Sequence, residues 1–285
     1  MLGDTLRITG KNLHLIYKVL AYVGILMLIA VAVSAAVISP ISKALFENGD
    51  LWEEIVGAFK EIGETNQAQG LAGIGDAFKG FFAAHKQDIW SMVGLLVIVG
   101  FIMKLFSCFV AIPEAEVIAC YMEKNYRQNF LGAAISSFGK SCVFALIYTL
   151  VTTPIDFGLI VGCGYLAVEL YAAIGMLAYP VVAVILTMLI SIRICLFGMW
   201  VPEMIRGKGK VFPSLKENFR LIKYNMKMLL PVTFFFILTG TIFIVSSVLF
   251  TMGLSLIVIV PMLMVTQSSA QMIVSFEIHE QKYYR

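Results

Sequence analysis

Two cationic residues lie inside stretches that are otherwise apolar enough to sit in a lipid bilayer. Lys104 begins the stretch KLFSCFVAIPE, and Arg193 lies within LISIRICLFGMW. A lysine offers a compact point charge and an arginine a planar fork of donors. Two such groups that face the interior of a helical bundle could bind an anionic headgroup or solute. The alternative is that both side chains extend toward the headgroups at a membrane surface, or form structural pairs.

The two cations occur in the same local pattern. Each is followed nine residues later by proline and then glutamate. The pairs that result are Pro113-Glu114 and Pro202-Glu203. We interpret the prolines as structural, and we expect the two glutamates to be counter-charges that pair across helices. On its own helix each glutamate is ten residues from its cation, too far for direct pairing.

Further polar residues interrupt the apolar stretches. Gln267 and Gln271 belong to a polar cluster at 266–271, which could hydrogen-bond across helices or line a hydrophilic cavity. Together with Lys104 and Arg193, these two glutamines form the hypothetical ligand-binding set. Asp156, placed near the outer end of its stretch, could line an outward-facing vestibule or be solvated at the interface.

The elements that carry these residues must be membrane-spanning helices. Sixty per cent of the residues are hydrophobic, 14% are charged and the mean hydropathy is +0.89. Apolar runs of about twenty residues recur, as a hydrocarbon layer about 30 Å thick requires. Helices satisfy every backbone polar group internally, and the alternating pattern of a β-barrel is absent. The sequence therefore predicts an all-α, polytopic bundle.

We predict one integral membrane domain over residues 1–285, built on six spans. The predicted spans are residues 18–39, 90–111, 140–163, 176–201, 229–250 and 253–276. The first is interpreted as an uncleaved signal-anchor, because its apolar core exceeds the length of a cleaved signal. Between the third and fourth spans, the glycines and acids of residues 156–169 suggest a turn near the surface.

The spans pair into three helical hairpins. A lysine and a small polar residue precede each odd-numbered span, and the cation-proline-glutamate pattern ends the second and fourth. We predict a parallel repeat of three like-oriented hairpins, rather than the inverted repeat of many transporters. The third hairpin lacks the cation and the Pro-Glu pair.

The distribution of lysine and arginine predicts the orientation. Seven basic and two acidic residues lie between the fourth and fifth predicted spans, so that side is expected to be cytoplasmic. The loop 40–89 holds eight acidic residues and is expected outside. Both termini are then cytoplasmic. The net charge of +3 requires no nucleic acid, since a basic segment can face anionic lipids.

The outer loop 40–89 contains two amphipathic stretches, at residues 51–62 and 71–82. We expect two helices that lie on the outer membrane surface or cap the bundle. Binding of a protein partner through this loop is the other hypothesis, and the sequence does not decide between them.

Searches for catalytic and metal-binding patterns find no site. Three histidines are widely spaced, with no His-Glu-x-x-His pattern, so a zinc site is not expected. There is no nucleophile elbow and no phosphate-binding loop, and no cofactor is implied. Gly73-Ile74-Gly75-Asp76 matches a short motif of intramembrane aspartyl proteases, but it lies in a polar loop without a second aspartate. Five cysteines show no CxxC spacing, and no disulfide is expected.

One stretch resembles a known group of proteins. FPSLKENFRLIKYNMKMLLPVTFFFIL, residues 212–238, runs as a basic amphipathic helix straight into a span. It resembles poorly characterised bacterial six-span families, including the membrane domain attached to some glycerophosphodiester phosphodiesterases. The resemblance covers about a tenth of the chain, and the soluble phosphodiesterase domain is absent. It implies a bacterial cytoplasmic-membrane protein and carries over no activity.

Three functions follow as hypotheses. The protein could handle or transport an anionic or lipidic ligand, as Lys104, Arg193 and the polar cluster suggest. It could instead be a non-catalytic scaffold or accessory subunit, as the outer loop and the missing active site suggest. An intramembrane enzyme is the third hypothesis, for which the sequence offers no site.

Overall fold

All of the regular secondary structure in the computed structural model is helical across the residues that the structure describes. The structure describes residues 1–46, 83–206, 210–251 and 256–284, together with 56, 57 and 80, and no strand occurs among them. The helices are α1 Leu2–Lys11, α2 Leu13–Phe46, α3 Lys86–Phe109, α4 Ala111–Lys124, α5 Phe130–Ser136, α6 Phe138–Ile174, α7 Ala178–Leu196, α8 Trp200–Arg206, α9 Val211–Arg220, α10 Ile222–Met228, α11 Leu230–Thr251 and α12 Leu256–Ile278. The amphipathic stretches predicted at 51–62 and 71–82 lie almost wholly outside the described residues.

Several of these helical segments are long and apolar enough to cross a membrane. Four qualify within the described residues: Leu13–Ser39, Lys86–Lys124, Phe138–Arg206 and Leu256–Ile278. A fifth is the pair Ile222–Met228 and Leu230–Ile244, bent by 52°. The prediction of an all-helical protein compatible with a membrane is thereby confirmed.

The helices divide into two compact units. Residues 1–26 and 104–285 form the first, which we call the main unit, and residues 27–103 form the second. α2 and α3 each contribute to both. All of the side chains considered below as a functional site belong to the main unit.

Helix α3 exposes apolar side chains along its whole length. None of its residues is buried in the protein, and Val97 and Ile98 are both more than half exposed. An exposed apolar helix is stable where lipid rather than water surrounds it.

Helices α6 and α7 form an antiparallel hairpin. The 3₁₀ turn Gly175–Leu177 joins them, and Gly175 has a φ of 60°, a region that glycine enters without steric cost. Residues that contact each other across the hairpin lie nearly the same number of residues before and after the turn. They are Tyr171 with Tyr179 (ring centroids 5.8 Å apart), Asp156 with Arg193 (2.9 Å) and Tyr148 with Phe197 (ring centroids 5.9 Å apart).

The turn predicted at residues 156–169 is therefore wrong. Helix α6 continues through that region to Ile174 and places Asp156 near its middle. Glycines do not end a helix when the surrounding apolar sequence and the lack of competing water favour its continuation. Glu169 is an exposed residue of α6, not of a turn.

The two cation-proline-glutamate patterns adopt similar local structures. α3 ends at Phe109 and α4 begins at Ala111, so that Pro113 is its third residue. After Arg193, α7 ends at Leu196 and α8 begins at Trp200, with Pro202 again third. Proline is tolerated in the first turn of a helix, where its missing N–H has no partner to lose. Both prolines are buried, in keeping with the structural role predicted for them.

The segment at 212–238 is not one continuous helix, contrary to the interpretation above. It consists of α9, α10 and the first part of α11, with breaks at Leu221 and Leu229. Leu229 is fully buried in a core cluster with Cys195, Met199 and Val274. The chain bends here because burying that leucine against α7 and α12 outweighs helix continuity.

The N-terminal helix α1 packs against α12. Its residues Thr5, Ile8 and Thr9 are buried. Met1 and Ile278, near opposite ends of the chain, both pack against the cluster around Leu229. A short helix with one buried face contributes to the core only through such packing.

Candidate ligand-binding cavity

A cavity of about 520 Å³ lies among the helices of the main unit. That volume falls within the range of about 300–1,000 Å³ found for small-molecule sites. Helices α3, α4, α6, α7, α8, α11 and α12 all contribute to its wall. All four residues of the hypothetical ligand-binding set, Lys104, Arg193, Gln267 and Gln271, line this one cavity.

Three charged side chains meet at the wall of the cavity. The Nζ of Lys104 lies 2.6 Å from Asp156 Oδ2, and the Nη2 of Arg193 donates to the same oxygen at 2.9 Å. We call Lys104, Asp156 and Arg193 the ion triad. Their side chains are 22%, 32% and 12% exposed, so none is sealed from the cavity or the surface. Two cations and one carboxylate leave the triad with a formal charge of +1.

Tyr148 holds the guanidinium of Arg193. Arg193 Nη1 donates to the tyrosine hydroxyl at 3.0 Å, and the guanidinium carbon lies 5.2 Å from the ring centroid. The ring is held in turn by Phe144 and Trp200, with centroids 5.2 and 6.1 Å away. Arg193 Nε is buried and has no hydrogen-bond partner among the described residues. The arginine is thus oriented by its neighbours and retains donor capacity.

Glu114 reaches the same cavity from α4. Its side chain is 1% exposed, and neither carboxyl oxygen has a partner in hydrogen-bonding geometry within the described chain. Ser268, another residue of the wall, is the polar neighbour close enough to act on it. A buried carboxyl group without a donor is costly, because its desolvation is not compensated.

Two glutamine side chains from the polar cluster of α12 line the cavity. Gln267 donates from Nε2 to Thr233 Oγ1 at 3.1 Å. Gln271 follows one helical turn later on the same face. Both of the alternatives left open by the sequence occur together, since Gln267 bonds across helices and also lines the cavity.

The expected pairing of Glu114 and Glu203 with the two cations is wrong. Asp156 is the counter-charge of both Lys104 and Arg193 and lines the same cavity, a pairing that the sequence analysis did not predict. Glu203 lies outside the cavity wall, where its Oε1 is 3.0 Å from His279 Nε2 and accepts from Ser275 Oγ at 3.3 Å. Continuation of α6 past the expected turn brings Asp156 to the depth of the cations, which is why the pairing differs.

Sequence reasoning missed the roles of Asp156 and Tyr148, although a signal was present. Tyr148, Thr152 and Asp156 are spaced by four residues, so they share one face of an otherwise apolar helix. A polar stripe on a membrane helix usually faces other protein rather than lipid. That stripe could have indicated the wall of a cavity.

The wall carries charged and amide side chains that can hydrogen-bond to an anion. Across the part of the chain that the structure describes, no group of three or more His, Cys, Asp or Glu residues could hold a metal ion. A positively charged triad, an oriented guanidinium and two amides can hold an anion by charge-assisted hydrogen bonds.

No protein-family model, curated protein or solved structure matches this chain. The resemblance at residues 212–238 therefore stays a prediction.

Proposed function

We propose that this membrane protein binds an anionic ligand, either a lipid headgroup or a solute, in the cavity of the main unit and handles it without chemical change. The ion triad carries the proposal, because two cations that share one carboxylate leave an uncompensated positive charge at a cavity wall. Charged residues within membrane helices are costly and commonly mark a pathway or a binding site.

The way in which Tyr148 orients Arg193 supports ligand binding by the triad over a purely structural ion pair. Tyr148 holds the guanidinium by a hydrogen bond from Nη1 and by a ring contact, which reduces the conformational entropy lost when an anion binds. An anion would receive donors from both Arg193 and Lys104 in a wall otherwise rich in phenylalanine and aliphatic side chains. Low polarity around such hydrogen bonds strengthens them.

The proposal includes a topology. We propose six spans, with α2, α3, α6, α7, the bent α10–α11 pair and α12 each crossing once in a parallel series of three hairpins. The packing of α6 against α7 as an antiparallel hairpin supports counting them separately. Packing of Met1 and Ile278 against one cluster supports two termini on one face. The basic residues of 206–227 favour a cytoplasmic face, in a bacterial cytoplasmic membrane.

A scaffold or accessory subunit is the competing function. One observation favours the scaffold: Asp156 already supplies a partner to both Lys104 and Arg193. On that reading the charges hold α3, α6 and α7 together and no ligand is needed. Partner binding through loop 40–89 belongs to the same alternative.

Replacement of both cations by glutamine distinguishes the two functions. The probe is phosphatidylglycerol, titrated into the purified full-length protein in a neutral detergent and followed by native mass spectrometry. We expect saturable binding to the wild type, and at least a hundredfold weaker binding to the Lys104→Gln/Arg193→Gln variant, because two charge-assisted contacts are lost.

The matched control is Lys216→Gln/Lys223→Gln, which removes two exposed cations from α9 and α10. It should retain the saturable site and lose only nonspecific, salt-sensitive association. Circular dichroism and gel filtration monitor folding of each variant. Equal binding by the wild type and the Lys104/Arg193 variant would contradict ligand binding and favour the scaffold.

A further inference from the structure

Glu114 and the ion triad line the same cavity but would bind ligand groups of opposite charge. The triad has an excess of positive charge and hydrogen-bond donors. Glu114 has two buried oxygens that lack a hydrogen-bonding partner in the described structure. An ionised carboxylate accepts hydrogen bonds and donates none, so the group that would satisfy ionised Glu114 is a donor.

Glu114 follows the triad residue Lys104 closely along the chain. Lys104 and Glu114 are ten residues apart on the consecutive helices α3 and α4, at most about 15 Å of helical rise. Phe144, Phe236 and Leu263 also line the cavity. The wall therefore combines a donor-rich region, an acceptor and an apolar surface.

We infer that the ligand is bipolar, with a phosphate or similar anion at Lys104 and Arg193 and a primary ammonium group at Glu114. This inference rests on the proposed function, whose anion site is one of its two halves. The chemistry is that of a phosphoethanolamine group, whether on an aminophospholipid or as the free headgroup.

An ammonium group fits Glu114 better than a metal ion does. Among the described residues of the cavity wall, the one other carboxylate is Asp156, which already accepts from two cations. Ser268, Gln267 and Gln271 of α12 line the same cavity, and their hydroxyl and amide oxygens can supply further acceptors but no charge. One carboxylate with neutral oxygens suits three N–H donors.

Headgroup preference tests the inference. The full-length protein in neutral detergent is titrated separately with phosphatidylethanolamine, phosphatidylcholine and phosphatidylglycerol of identical acyl chains. Phosphatidylcholine has a quaternary ammonium without N–H donors, and phosphatidylglycerol has no amine. We expect phosphatidylethanolamine to bind at least tenfold more tightly than either, as one charge-assisted hydrogen-bonding site predicts.

The decisive variant is Glu114→Gln. It should lower the affinity for phosphatidylethanolamine about tenfold and leave that for phosphatidylglycerol within about twofold, since the amide keeps one acceptor and loses the charge. Glu203→Gln is the matched control, because Glu203 occupies the same motif position outside the cavity wall. It should retain the preference. If Glu114→Gln does not accumulate, Glu114→Asp provides the test, with an expected loss of several-fold.

Competition by free phosphoethanolamine distinguishes the two sources. Displacement of the lipid at similar concentrations would assign the site to the soluble headgroup, and absence of displacement would assign it to the lipid; both support a bipolar ligand. Equal affinity for all three lipids, unchanged by Glu114→Gln, would overturn the bipolar ligand and leave anion binding intact. Absence of any binding by the wild type would overturn the proposed function itself.

Discussion

Asp156 Oδ2 accepts hydrogen bonds from both Lys104 and Arg193, so a single carboxylate is the counter-charge of two cations. Within a bundle surrounded by hydrocarbon, an unpaired charge costs several kcal/mol, so a counter-charge must lie close to each cation. One carboxylate compensates two cations only in part. The same residue therefore stabilises the bundle and leaves the ion triad with a formal charge of +1.

Substitution of Asp156 by asparagine separates these two effects. The variant keeps the shape and raises the formal charge of the triad from +1 to +2. We expect a lower apparent Tm in detergent, corresponding to about 1–3 kcal/mol for the unpaired cations. We also expect several-fold tighter binding of phosphatidylglycerol, because a resident competitor for the cations is removed.

Glu169→Gln is the control for this experiment, since it removes an exposed acid from the same helix. It should change neither Tm nor affinity. A loss of stability in Asp156→Asn without any gain in anion affinity would mean that the triad serves structure alone.

At the scale of helices, the chain breaks between α7 and α8, shortly after Arg193. The break between α7 and α8 is held by Asn218 of α9, which is fully buried. Its Oδ1 accepts from the Met199 N–H at 2.9 Å, and its Nδ2 donates to the Leu196 carbonyl at 2.7 Å. These backbone groups lose their helical partners at the break, so one amide side chain replaces both bonds.

Removal of that amide should loosen the break. We expect Asn218→Ala to lower stability by about 2–4 kcal/mol, because two buried backbone groups lose their partners. Arg193 and Val201, on either side of the break, line the cavity, so affinity for phosphatidylglycerol should fall as well. Chemical denaturation in mixed micelles and the binding titration measure the two effects.

The companion variant Lys216→Ala changes an exposed residue of the same helix and should leave both quantities unaltered. A stability of Asn218→Ala equal to that of the wild type would show that water or lipid groups satisfy the break instead.

At the scale of the whole molecule, the exposed apolar surface indicates that lipid surrounds the protein. Apolar side chains are exposed along α3 and on the α6–α7 hairpin, whereas the polar stripe of Tyr148 and Asp156 is turned toward the cavity. This arrangement is stable only where hydrocarbon is the solvent outside and hydrogen-bonding groups meet inside. The charge distribution of the loops then sets the orientation.

Accessibility of the two termini tests the proposed six spans. Epitope tags placed before Met1 and after Arg285 should both be protected from protease in intact spheroplasts and cleaved in inverted vesicles. A cysteine introduced at Asn66, within loop 40–89, should react with a membrane-impermeant maleimide from outside. Tags on opposite faces would contradict an even number of spans.

The sequence alone was sufficient for those features that depend on local composition. Lengths of apolar runs predicted helices able to cross a bilayer, since backbone groups in hydrocarbon have no partner other than their own segment. Isolated polar residues in such runs identified Lys104, Arg193, Gln267 and Gln271. The structure places all four around one cavity.

What the sequence could not determine is which of these groups meet. Lys104 and Asp156 are 52 residues apart, and Arg193 and Asp156 are 37 apart, so their pairing depends on how α3, α6 and α7 pack. The lack of a hydrogen-bond partner for Glu114 within the described residues and the two bonds of Asn218 likewise follow from packing. Local sequence determines that a charge lies in a membrane helix, whereas only the tertiary arrangement decides which charge compensates it, because Coulomb and hydrogen-bond energies depend on distances between helices.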